Sequence, residues 1–179
     1  MACIKKLDSD ITFDCANLGI SGGIGEIDEA IIINSSDIST ISESVGVGTI
    51  TMLTGKRGFV VSSVNNSVMY QEAIKTNDMV PAAEDQSVII KCMSSMDSTA
   101  YRLALTSLLK GNFRVALKSK SGNYYLAGAF CGLEASDFAT DSSTGGISTV
   151  TLKTPEASTG DMLVTITKAA YDGLKIPKV

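Results

Sequence analysis

Phe113-Arg-Val-Ala-Leu-Lys-Ser119, then Ser121-Gly-Asn123, then Tyr124-Tyr-Leu-Ala-Gly-Ala-Phe130 is the stretch on which the fold turns. The first run alternates apolar and polar residues with the period of two that a half-buried strand requires. The glycine at its end is free to adopt the backbone of a tight turn. The second run is aromatic and apolar, so the two read as an antiparallel hairpin.

The pattern repeats outward in both directions. Upstream, Glu26 to Asn34 is β-branched and bounded by Gly and by Asn-Ser-Ser, which predicts a strand. Val45 to Leu53 reads as a strand, Thr54-Gly-Lys-Arg-Gly58 as a turn with glycines suited to positive φ, and Phe59 to Val64 as the return strand. Asn65-Asn66 reads as a tight turn into a strand over Ser67 to Lys75, with Val68, Tyr70 and Glu72 on one face and Met69, Gln71 and Ala73 on the other. Ser87 to Met93 is a further β run. Downstream, Leu133 to Phe138 continues extended, Ile147-Ser-Thr-Val-Thr-Leu-Lys153 alternates, Pro155 to Gly160 interrupts, and Met162 to Ile166 follows. One short helical turn is expected in the tail after Lys168.

The period changes once. Tyr101, Leu105, Leu108 and Leu109 recur at helical spacing. A helix is therefore predicted at about 98–110, capped by Asp97 or Ser98 and closed by Gly111 in the left-handed region. Eight to ten short strands and one amphipathic helix predict a mainly β domain, a β-sandwich or open barrel with one flanking helix. The whole chain, 1–179, reads as one such domain. It carries a glycine-rich N-terminal segment at about 14–25 and long loops at about 35–45, 76–86 and 139–146.

Composition narrows the function classes. The chain has 179 residues, 44% hydrophobic, with formal net charge −4; its pI is about 4.8 and its mean hydropathy +0.21. That is long enough and apolar enough to bury a core without metal or disulfide staples. The negative balance argues against a protein that grips nucleic acid, which needs basic residues on the phosphates. It suits a wall that DNA slides past, and equally an ordinary acidic surface. No signal-like apolar run opens MACIKKLDSD, and the longest apolar run, Ala30 to Ile33, is far short of a membrane span. Synthesis in the cytoplasm and mostly buried thiols at Cys3, Cys15, Cys92 and Cys131 are expected.

Reactive constellations are sparse. The chain has no His, which removes the usual base of nucleophilic triads, and the four cysteines form no CxxC pair. No catalytic, cofactor or metal site is therefore expected. Gly19, Gly22, Gly23 and Gly25 lead into a strand rather than a helix, so they do not make a phosphate loop. Glu26, Asp28 and Glu29 cluster at a strand start, where a solvated edge is the plainer reading. The helix stripe and the methionines read as core filling. Lys56 and Arg57 form a basic turn tip that can meet an acidic surface of a neighbouring subunit. With Asp78, Glu84 and Asp85 they are the candidate residues for contacts between subunits. A β-rich chain with many strand margins must cover them, and identical copies around an axis can do so.

The C-terminal third carries a resemblance. Tyr124 to Ala135, which contains Gly132-Leu133, is followed by the Thr/Gly loop Thr140 to Gly146 and the alternating strand Ile147 to Glu156. This resembles virion proteins of tailed bacteriophages, in particular tail tube-type proteins of phages of Bacteroidetes hosts, and the opening MACIKKLDSDITFDC is similar to that group. The chain departs from the pattern in having Gly-Gly-Ile after the loop instead of an Asn-Gly turn. The resemblance implies a tube subunit, six copies to a ring, with stacked rings forming the channel for DNA ejection. Its partners would be further copies, other virion tail proteins and transiently passing genomic DNA, with no membrane, and its location the virion tail. The competing readings are a connector, tail terminator or capsid decoration protein, the tube of a contractile injection system, and a ligand-binding β-sandwich, which predicts a stable monomer.

Overall fold

A computed structural model describes residues 26–62, 67–77, 80–92, 106–141, 147–156, 158 and 161–177. The molecule is mainly β, with a large mixed sheet and short helices. The strands, in chain order, are β1 (Ile27–Asn34), β2 (Ile38–Ser44), β3 (Val47–Met52), β4 (Phe59–Ser62), β5 (Val68–Asn77), β6 (Val80–Cys92), β7 (Asn112–Ser119), β8 (Tyr124–Ala127), β9 (Leu133–Asp141), β10 (Ile147–Lys153) and β11 (Val164–Ile166). Helix α1 is Lys168–Gly173.

The deciding hairpin forms as the alternation predicts, with Val115 opposite Ala127 and Lys118 opposite Tyr124. Gly122 takes a φ of +88° in its turn. β7 is the hinge of the architecture. It pairs with β1 over most of its length, with β8 in its middle, and with β9 at Asn112 and Phe113. From β8 the sheet runs on through β11 and β3 to β2, and from β9 through β10 and β6 to β5. Among the described residues, all pairings are antiparallel except that of β3 with β11.

Two apolar clusters hold these branches. The first joins Ile27, Ala30 and Ile32 of β1, Val115 and Leu117 of β7, Val88 and Ile90 of β6, and Val150 and Leu152 of β10. The second takes the opposite side of the same central strands, with Ile31, Ile33 and Ala116, and closes over Ile50, Met52, Val164, Ile166, Tyr171 and Leu174. β1 is thus buried on both faces, which is why its run Ala30-Ile-Ile-Ile33 is continuous rather than alternating.

Several expectations are corrected. The stretch 35–45 is not a loop: Ser35–Asp37 is one 3-10 turn, Ile38–Ser44 is β2, an edge strand whose Ile38 and Ile41 pack against the second core, and Val45 opens the turn to β3. The stretch 76–86 is not a loop either: 76–77 belong to β5 and 80–86 to β6, with Lys75 opposite Ala83 and Asn77 opposite Val80, while 78–79 lie outside the described residues. Of 139–146, residues 139–141 belong to β9 and 142–146 lie outside the described residues. The strand after Gly58 does not return along β3: β3 pairs with β2 and β11, whereas β4 crosses to β1. Gly111 is not left-handed; it is small because a Cβ there would come within 2.3 Å of the Phe113 ring. Of the helix predicted at 98–110, residues 106–108 are helical and Leu108 packs on the first core, while 98–105 lie outside the described residues. The glycine-rich segment 14–25 lies outside them too. The tail turn is present as α1, capped by the Thr167 hydroxyl, which accepts a 3.1 Å hydrogen bond from the Ala170 N–H.

Candidate functional site

The surfaces that can make external contacts are the sheet margins and what projects from them. Among the described residues, β2 has a strand neighbour only in β3, and β5 only in β6. The β5–β6 hairpin also outruns its support. β10 pairs with β6 from Ser87 to Cys92, and the Thr154 and Asp161 N–H groups donate to the Gln86 and Glu84 carbonyls, so the part from Val80 to Ala83 and its partner on β5 extends beyond the sheet as an arm.

The face of the arm follows from strand alternation. Val68, Val88 and Ile90 fill the core, and Tyr70 packs against it. The same face continues outward through Gln86 and Glu72 to Ile74 and Glu84. Gln86 is the last buried position; Glu72, Ile74 and Glu84 are exposed, Ile74 by 70%. Burial pushes the Tyr70 hydroxyl pKa up, and the charges of Glu72, Glu84 and Asp161 add to the rise. Glu72, Ala73, Ile74 and Glu84, with Met162 and Leu163, line a groove of about 430 Å³ at the base of the arm. Asp85 faces the other way and forms a 2.8 Å ion pair with Lys153.

The basic turn is anchored rather than floppy. The Leu53 N–H donates to the Asp37 carbonyl at 2.9 Å, and the Gly58 N–H to the Leu174 carbonyl at 2.8 Å. Gly55 has a φ of +76°, and a Cβ on Gly58 would strike Ile31 at 2.3 Å. Lys56 sits 3.2 Å from the Asp37 carboxylate. That carboxylate accepts a 2.7 Å hydrogen bond from the Asn34 amide, which with Lys56 holds its pKa below the usual value. Arg57 is exposed and has no ion pair among the described residues.

Of the sequence-derived candidates, Lys56 and Arg57 therefore share one turn and Glu84 lies in the arm groove. Asp85 is spent on Lys153, and Asp78 lies outside the described residues. Of the carboxylates Glu26, Asp28 and Glu29, Glu29 lies where β1 runs between β4 and β7, whereas Glu26 and Asp28 precede the β4 pairing and are solvated. Each has a partner: Glu26 pairs with Lys120, Asp28 with Lys118 at 2.5 Å, and Glu29 with Lys175 at 2.5 Å. The hydrogen bond from Lys118 keeps the Asp28 carboxyl below its ordinary pKa. Glu29 also accepts the Tyr171 hydroxyl at 3.0 Å.

A buried polar network has no counterpart in the sequence reading. Asp161 accepts the backbone N–H groups of Phe130, Cys131 and Met162 at 2.8–2.9 Å. Gln86 accepts the Gly128 N–H at 2.8 Å, and its own N–H donates to the Thr154 hydroxyl at 2.9 Å. The Arg114 guanidinium donates to Ser35, to Asn112 and to the Phe130 carbonyl. All three side chains act on the bulge 128–132 between β8 and β9, where Gly128 and Gly132 have positive φ. The only signal in the sequence was the pair of glycines flanking Ala-Phe-Cys.

Among the described residues no group of Cys, Asp and Glu is arranged to hold a metal ion, and no helix is long and apolar enough to cross a membrane. Comparison of the chain with protein-family models, with curated proteins and with solved structures found no match.

Proposed function

We propose that the chain is a non-catalytic structural subunit that assembles with copies of itself, and that its specific role is that of a tail tube-type virion protein. The observation that carries the reading is the open sheet: β2 and β5 end its longest run of strands, β4, paired only with β1 among the described residues, leaves a third margin, and the arm projects past the last supporting strand. Strand edges left open recruit further strands, so monomeric proteins shield them. Here β2 offers seven residues of polar edge and β5 the flank of a long ribbon. Two different edges on one chain make a head-to-tail contact, which closes into a ring or continues as a stack.

The charge balance agrees with a channel wall. A formal charge of −4 on each copy accumulates around a ring and disfavours adhesion of passing phosphates. The partners in this reading are further copies and other tail proteins, and the assembled location is the virion tail.

Negative-stain imaging with mass measurement across a concentration series tests the reading. Hollow rings or open-ended tubes are the expected result. A homogeneous monomer at the highest concentration overturns it and favours a ligand-binding sandwich. Closed rings that never stack would retain self-assembly but replace the tube with a connector or terminator.

A further inference from the structure

Two surfaces described above match each other and cannot meet within one chain. The turn after β3 presents Leu53, Lys56, Arg57 and, just beyond it, Phe59, which is 52% exposed. It is apolar with a positive tip. The groove at the arm base presents Ile74 and Met162, 70% and 54% exposed, between the carboxylates Glu72 and Glu84. It is apolar with a negative rim. Arg57, Glu72 and Glu84 form no ion pair among the described residues.

Their separation follows from the one parallel pairing. β3 and β11 run side by side with Val47 opposite Thr165. Met162 and Leu163 thus lie where β3 begins, and the turn lies where it ends. Six residues of strand put about 20 Å between them. The turn is also tied down at both ends, to Asp37 and to Leu174, so it does not swing to its own groove.

We infer that the Leu53–Gly58 turn of one copy docks in the arm-base groove of a second copy, with Arg57 between Glu72 and Glu84 and the apolar side chains on Ile74 and Met162. This rests on the self-assembly reading and supplies the contact that reading lacks. Each copy has one turn and one groove at opposite ends of β3, so the contact is heterologous and propagates from copy to copy. It also gives the edges a direction. The turn adjoins the Ile38 end of β2, where Ile38 is opposite Met52, and the groove is at the Ile74 end of β5. Docking brings those ends together, and pairing from there back along β5 runs antiparallel.

A charge swap tests this. Sedimentation velocity is run across concentration on the full chain, on Arg57→Glu, on Glu72→Arg/Glu84→Arg, and on the three changes combined, with circular dichroism as the check on folding. Each reversed variant should need at least about tenfold more protein to assemble, because like charges then face each other. The combined variant should recover most of that loss. Ile74→Asp, outside both cores, gives a second route and should weaken assembly with an unchanged spectrum. Wild-type assembly that Arg57→Glu leaves unaffected overturns the docking while self-assembly stands, and so does a combined variant no better than the single reversals. A wild-type chain that stays monomeric overturns both.

Discussion

Single residues carry stress in this molecule where the chain reverses most tightly. Ser44 and Val47 close a two-residue turn between β2 and β3, with Val45 at φ +54° and Gly46 at φ +75°. Positive φ at both central positions is the type I′ hairpin geometry, which suits Asn-Gly. Valine is a poor occupant, since its branched Cβ is crowded in the left-handed region at a cost of about 1 kcal/mol. Its side chain is 98% exposed and gains nothing in return. Val45→Asn should therefore raise the thermal midpoint by about 2–4 °C, read by calorimetry; an unchanged or lower midpoint contradicts the turn assignment. Asp161 is the opposite case. It is buried and satisfies three backbone donors. Asp161→Ala leaves those donors without their acceptor and should cost about 3 kcal/mol or more in denaturant unfolding; a loss under about 1 kcal/mol would mean that the bulge at 128–132 does not depend on it.

Elements were legible from the sequence where one face is buried. β10 alternates because it lines a core on one side, whereas β1, β7 and β8 contribute to both clusters, and β1 is a solid apolar run for that reason. The strands misread as loops fail that condition. β2 is Ile-Ser-Thr-Ile-Ser-Glu-Ser with no buried residue, and the outer arm beyond Gln86 has left the core behind. Strand periodicity reports burial, not hydrogen bonding, so an edge and a ribbon are silent to it. The crossing of β4 to β1 was hidden for a different reason. Thr54 to Gly58 has hairpin-turn composition, but local residues do not say which neighbour a strand takes. Of the candidate contact residues, Lys56 and Arg57 were visible as charge at a turn, whereas the acidic groove needed the register that sets Ile74 beside Glu84. The arm gives a prediction at this scale. Replacing 75–83 by Asn-Gly removes only β5–β6 pairs that no third strand supports, and an Asn-Gly link closes a two-residue hairpin. The shortened chain should melt within about 3 °C of the parent yet fail to form rings or tubes. Rings of normal size from the shortened chain would rule the outer arm out as an assembly element.

For the molecule as a whole, the distribution of ionisable groups sets its response to pH. The sequence contains no His, so no imidazole titrates near neutrality. The perturbed carboxylates all move down: Asp28 through its hydrogen bond with Lys118, Asp37 through Asn34 and Lys56, and Asp172 through Lys168. Their stabilisation is complete above the unfolded value of 3.8 and is lost as pH falls through the lower folded values. The perturbed lysines all move up, Lys118 through Asp28, Lys153 through Asp85 and Lys168 through Asp172. Their stabilisation is complete below 10.5 and is lost as pH rises through the higher folded values. Both windows lie outside the neutral range, and between them nothing in the fold gains or loses a proton by these couplings. The thermal midpoint should hence stay level from about pH 5 to about pH 8 and fall below about pH 4. Scanning calorimetry in a set of buffers of constant ionic strength reads this directly. A fall of more than about 5 °C between pH 6 and pH 8 would require a carboxylate or thiol titrating near neutrality in the folded chain.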